Sequence, residues 1–273
     1  MLALLLGTGC TFPRVAMFQE QQPLETPVGA FRLEYPPQDT KSAAMVREAI
    51  ERASPLLTRW GMLQQPVTVR IHPDHRSLER AARRTDLRWL RAWSRYDAVD
   101  VQAPGSWTPL AGSQRDMDEL LLHELTHSLM YQQAADEGVW RQKKIPAWFR
   151  EGMASFTANQ GYRWPTLEQL ARLMAEHPTW EPLLRPEELH ADQMPVAYGA
   201  AHHAFTFLVN RYGEDRVRAL LQEMSKGPDF PVAFTSIVGL QPELFLRDFS
   251  RYVRLRGFKG GRLLQPTQPP PPP

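Results

Sequence analysis

Between positions 66 and 73 the chain reads PVTVRIHP, and Val67, Val69 and Ile71 fall on every second residue. That period belongs to a strand with one buried face. VGAFRLEY, residues 28–35, alternates more loosely and predicts an earlier strand, and AWSRYDAVDVQAP, residues 92–104, predicts a later one that Pro104-Gly105 breaks. Between the first two strands Ala44, Val46, Ile50, Ala53 and Leu57 recur at helical spacing, an amphipathic helix that Gly61 ends. Residues 74–91 predict a further helix. Beyond the third strand the period changes. Residues 114–133, 146–159, 165–176, 197–212, 214–226 and 241–255 are all helix-like, divided by Gly and Pro signals. A small mixed sheet with helices, followed by a helical C-terminal half, is an α+β pattern.

Composition narrows the picture without deciding it. A chain of 273 residues, 42% hydrophobic and 23% charged, can bury a real core as an ordinary globular protein. The net charge of +2 gives no global electrostatic case for a nucleic-acid partner. A single cysteine excludes an internal disulfide framework and a cysteine-rich structural zinc site. That cysteine, Cys10, closes the apolar run MLALLLGTGC, which resembles the end of a bacterial lipoprotein signal in which the cysteine is lipidated. The match is imperfect: no Lys or Arg precedes the run, the run is short, and Gly7 stands where that pattern prefers Leu. The expectation is a lipid-anchored protein of the bacterial cell envelope. Residues 1–10 then form the signal segment, 11–27 a flexible tether, 28–258 one domain (28–133 sheet-containing, 134–258 helical), and 259–273 a disordered proline-rich tail.

Arg76, Arg80, Arg84, Arg88, Arg91 and Arg95 recur at three- and four-residue spacing, a basic stripe if one helix runs through 74–95. Two readings stand: contact with anionic lipid head groups or acidic glycans, or a solvated face partly neutralised by Asp74, Glu79 and Asp86.

The densest chemistry lies at residues 120–130, LLLHELTHSLM. On a helix, positions i and i+4 share a face, so His123 and His127 present two imidazoles side by side, a separation suited to one tetrahedral ion. Glu124 is rotated by about 100°. From there its carboxylate reaches a metal-held water as general base more easily than the metal itself. Leu120, Leu121, Leu122, Leu125, Leu129 and Met130 cover most of the helix circumference and predict a buried helix. Burying two imidazoles and a carboxylate there costs several kcal/mol, roughly, unless something pairs with them. A metal would supply the pairing; so would backbone carbonyls and an ion pair.

A third ligand is required, and the continuation HxxGxxH is absent because SLMYQQ follows His127. Glu137, Glu151, His177, His190, His202 and His203 are the candidates. Glu151 stands out within KIPAWFREGMASF, on a largely apolar helix beside Gly152, whose helix penalty of about 1 kcal/mol makes sense if another helix approaches closely.

HELTH, then Glu151 with 23 residues between it and His127 in the form PAWFREGMA, resembles the gluzincin zinc metallopeptidases. It is most similar to the bacterial peptidase-MA-like group, whose HExxH and WxxEGxA elements correspond here to His123, Glu124 and His127, then Trp148, Glu151, Gly152 and Ala154. YGAAHHAFTFLVNRYG resembles that group's following helix, which begins with a tyrosine and ends at Tyr-Gly, here Tyr198 and Tyr212-Gly213. The GxMEN element of gluzincin aminopeptidases is absent, which lowers the case for N-terminal trimming. The resemblance implies a zincin-like fold and one zinc ion held by His123, His127 and Glu151. It also implies Glu124 as base and Tyr198 as the group that stabilises the carbonyl oxygen. His202, one turn from Tyr198, is a further candidate for oxyanion or second-shell support; His203, His72 and His75 receive no role. The expected function is peptide-bond hydrolysis, more in the manner of an endopeptidase, on peptide or protein substrates. The alternative is a catalytically silent binding or scaffold protein on the same fold.

Overall fold

The computed structural model describes residues 18–20, 23–178, 182–183 and 193–259. Six strands form one mixed sheet: β1 (Gln19–Glu20), β2 (Leu24–Thr26), β3 (Gly29–Tyr35), β4 (Val67–His72), β5 (Ala92–Ser94) and β6 (Ala98–Gln102). Their order is β1-β3-β4-β6-β5, with β2 also paired to β3. The central pairs β3–β4 and β4–β6 are parallel, and β5 lies antiparallel at the edge. The alternation read from the sequence sets the faces. Phe31, Leu33, Val67, Val69, Ile71, Val99 and Val101 are buried in one apolar core, whereas Glu34, Arg70 and Asp100 lie opposite one another across β3, β4 and β6.

Nine helices complete the described residues: α1 (Thr40–Leu57), α2 (His75–Ala82), α3 (Gln114–Ala134), α4 (Ala147–Thr157), α5 (Leu167–Glu176), α6 (Met194–Tyr212), α7 (Glu214–Ser225), α8 (Phe230–Val238) and α9 (Pro242–Lys259). Several starts have a local cause. Asp39 accepts from the Ser42 amide ahead of α1, and Ser113 with Asp116 forms a reciprocal cap that begins α3. Gly61 ends the α1 turn at a φ of 134°, open to glycine alone. Between the turn that follows α1 and helices α4, α6, α8 and α9 the aromatic rings of Trp60, Trp148, Phe149, Phe205, Phe230 and Phe245 pack edge-to-face and stacked. One core thus runs through both halves of the chain. No helix among the described residues is long and apolar enough to cross a membrane.

Four expectations are corrected. The strand read over 92–104 is two strands, because the chain reverses at Tyr96-Asp97 and Arg95 N donates to Ala98 O at 2.7 Å. The helix read over 74–91 stops at Ala82, where Arg83 turns left-handed at a φ of 54°. The arginines therefore form no continuous stripe. Part of the expected tether is structured, since β1 and β2 pair with β3 and give its outer edge a partner. Finally, α8 escaped the periodicity: FPVAFTSIV is apolar with few polar positions to mark a face, and Asp229 caps it by accepting from Val232 N. Cys10 and the segment 1–17 lie outside the described residues, as do 260–273 and His190.

Candidate metal centre

Helix α3 runs through the core, with Leu121, Leu125, Leu129 and Met130 buried. That packing fixes the rotation of the helix and turns His123 and His127 toward α4. From α4, Glu151 completes the group: the ligand-capable atoms of His123, His127 and Glu151 all lie within 4.8 Å of one another. His123 Nε2 and His127 Nε2 are 3.3 Å apart. Glu151 Oε2 is 3.5 Å from the first and 3.6 Å from the second.

Those distances can be compared with what an ion demands. Zinc bonds of 2.0–2.1 Å at tetrahedral angles separate neighbouring ligand atoms by about 3.3–3.4 Å. The triangle here is within a few tenths of an ångström of that, roughly, so the donor set fits. Outer support is present as well. Gln160 Oε1 lies 2.9 Å from His123 Nδ1, and with the amide oxygen accepting, His123 Nε2 is left as the lone pair facing the other two atoms. His127 Nδ1 is buried with no partner, and the ring stacks on Tyr131.

Electrostatics point the same way. Burial would lower the His123 pKa, but hydrogen bonding to Glu151 and the charges of Glu124 and Glu151 outweigh it and raise it. Burial would raise that of Glu151, but the two imidazoles hold it well below the ordinary carboxylate range. The centre draws positive charge: a proton satisfies it partly, a divalent cation satisfies it fully.

Glu124, one residue on, is held by the edge strand. Ser94 Oγ contacts Glu124 Oε2 and lies 2.9 Å from the Glu124 carbonyl. The sequence reading missed Ser94, Gln160 and Tyr131, because each acts through a contact between elements far apart in the chain.

Tyr198 stacks on Trp164 with ring centroids 5.3 Å apart. Burial raises its pKa, and the charges of Glu151 and Glu124 raise it further, so its hydroxyl shares the field of the centre. His202 is engaged on α4: its Nδ1 lies 3.0 Å from Ser155 Oγ, which also accepts from Trp164 Nε1 at 2.9 Å. Burial pushes that imidazole down to about 4, with help from His203. His203 donates to Pro165 O at 2.8 Å. Glu137 and His177 are exposed away from the triangle. His72, given no role by the sequence, is paired: its Nε2 lies 2.8 Å from Asp100 Oδ1. Gly152 does mark a close helix approach, but the helix is α6 rather than α3, since a Cβ there would meet Ala201 O at 2.4 Å.

No protein-family model matches the chain, and no curated protein matches it. Solved structures do. The crystal structure of aminopeptidase A from Legionella pneumophila, in complex with aspartic acid, aligns with a TM-score of 0.53 at 15% identity over 85% of this chain and 28% of that one. An M1 zinc metallopeptidase from Deinococcus radiodurans gives 0.46 at 17% identity, over 86% and 51%. An aminopeptidase N family protein from Idiomarina loihiensis gives 0.45 at 11%, over 85% and 46%. The chain spans about half, or less, of the length of these structures. At this identity the likeness to the Legionella protein is one of fold: the sheet and helices of this chain follow the course of part of a peptidase.

Proposed function

We propose that the protein is a zinc-dependent peptide-bond hydrolase, more an endopeptidase than an aminopeptidase, tethered to a bacterial envelope through Cys10. The observation that carries this reading is the triangle of His123 Nε2, His127 Nε2 and Glu151 Oε2, sized for a tetrahedral ion with Glu124 beside it. When bound there, zinc supplies a Lewis acid and an acidified water. The chain does the rest. Glu124 accepts the water proton on its carboxylate and returns it to the leaving amine. The Ser94 hydroxyl holds that carboxylate toward the centre. Tyr198 donates a hydrogen bond from its hydroxyl to the oxygen of the scissile carbonyl as negative charge develops there. An extended substrate can add to the edge of β5 as a further strand.

The test has two arms. Protein purified without chelator is expected to carry stoichiometric zinc, and none would end the proposal. Glu124→Gln should keep the zinc and lose about 10²- to 10⁴-fold in the rate of peptide hydrolysis. Zinc without hydrolysis in the unaltered protein would instead favour the silent scaffold.

A further inference from the structure

Residues 76–91 hold six arginines, Arg76, Arg80, Arg83, Arg84, Arg88 and Arg91, against the two carboxylates Glu79 and Asp86. That excess is larger than the +2 of the whole chain. Elsewhere arginines pair freely with acids, as Arg52 does with Asp118 and Arg163 with Glu119. Among the described residues none of these six has a carboxylate within ion-pair distance. Arg83, Arg84 and Arg88 are exposed. The same segment carries Trp89, next to Arg88 in sequence and 61% exposed although its neighbour Leu90 is buried with Leu78 and Ala82; the Arg84 guanidinium lies over the Trp93 ring at 4.8 Å. Leu90 anchors the loop, and Trp89 is the side chain left outside.

A second loop joins this one. The Arg91 guanidinium donates from Nη2 to Thr108 O at 3.1 Å, tying residues 88–91 to residues 108–111. On that second loop Leu110 is 80% exposed, the highest value among the large hydrophobic residues described. Two protruding apolar side chains thus stand on adjoining loops in a segment whose arginines have no carboxylate partner among the described residues. Both loops adjoin the sheet edge that carries Ser94: the first runs directly into β5, and the Gln102 amide at the end of β6 donates to Arg91 O at 2.8 Å.

We infer that this double loop is a docking surface for an anionic phospholipid bilayer. Trp89 and Leu110 enter the head-group layer, and Arg83, Arg84 and Arg88 meet the lipid phosphates. Tryptophan is favoured at that depth, and arginine beside it gains from the negative surface potential. A partner protein would call for carboxylates opposite the arginines and a groove around the tryptophan; a bilayer needs only the charge and two insertable side chains. The inference is independent of the peptidase reading and concerns a different surface from the metal centre.

The test uses the full chain with Cys10→Ser, so that no attached lipid contributes. Binding is measured by flotation with vesicles of phosphatidylcholine, alone or mixed in equal parts with phosphatidylglycerol. The mixed vesicles should be bound preferentially, with the preference falling as salt rises. Each basic residue at such a surface is worth on the order of fivefold in affinity, so Arg83→Ser, Arg84→Ser and Arg88→Ser together should cost on the order of a hundredfold. Trp89→Ser with Leu110→Ser should weaken binding while leaving its salt dependence in place. All five side chains are exposed, and unchanged thermal unfolding checks that the variants fold. Equal binding to both vesicle types, or mixed-vesicle binding that the triple variant retains, would overturn the inference. So would a loss confined to binding of a protein substrate.

Discussion

The molecule buries a histidine beside a carboxylate in two places, and the two are closed differently. Behind the sheet, His72 meets Asp100, which is 1% exposed, and Arg95 and Arg70 also reach that carboxylate. Register makes this inevitable once the strands pair: Glu34 stands opposite Arg70, and Arg70 opposite Asp100. Two guanidinium groups answer the buried charge, so that the carboxylate is compensated within the protein. Between α3 and α4, Glu151 has, among the described residues, only the rings of His123 and His127 within ion-pair distance, with Glu124 adding a second negative charge. The nearest guanidinium in sequence, Arg150, spends its Nη1 on Ile145 O at 2.8 Å. A buried carboxylate with arginines around it is a brace. A half-buried one with imidazoles alone, their nitrogens converging, is shaped as a receptor for a cation.

Removing one ligand should separate the two clusters most sharply. His127→Ala is expected to lower zinc affinity by more than about a hundredfold, since even outer partners of ligands cost that much. Metal analysis after dialysis reads it, and the sheet cluster should be untouched. Asp100→Asn should do the converse, keeping the zinc but costing about 1–3 kcal/mol as the charge-assisted hydrogen bonds of the buried carboxylate to His72 and Arg95 are weakened. Chemical denaturation measures that loss. It should also depend on pH. Burial raises the Asp100 pKa, but His72 and Arg95 outweigh it and hold it below the ordinary 3.8. A depressed native value stabilises above the unfolded value and is lost as pH falls through the native one. The gap between the original protein and the variant should therefore close below a pH of about 3.8. Gln160→Ala tests whether the receptor has outer support, with zinc affinity falling about 10- to 100-fold. Ser94→Ala should have the smallest effect: about tenfold in kcat at unchanged zinc content, for one hydrogen bond to a charged group.

Much of the receptor could be read from residue types alone, because its histidines sit one helical turn apart on one chain segment. Glu151 was singled out by its apolar helix and by Gly152, although the partner helix at Gly152 proved to be α6. The brace was invisible. His72 and Asp100 are 28 positions apart, and only the parallel pairing of β4 with β6 makes them neighbours. The same limit explains the arginine segment. Spacing suggested one long helix, whereas Leu90 had an apolar pocket to fill with Leu78 and Ala82, and the chain turned at Arg83 to fill it.

By itself the sequence determined the strand and helix periods, the two imidazoles on one face with a carboxylate between them, and the excess of arginine at 76–91. These are properties of positions a few residues apart, where backbone geometry alone sets which side chains meet. Tertiary structure decided the rest: that Glu151 closes the triangle, that Ser94 and Gln160 hold the groups around it, and that Asp100 is answered by arginines. Those contacts join distant segments, and only the packing of the shared core brings them within a hydrogen bond of one another.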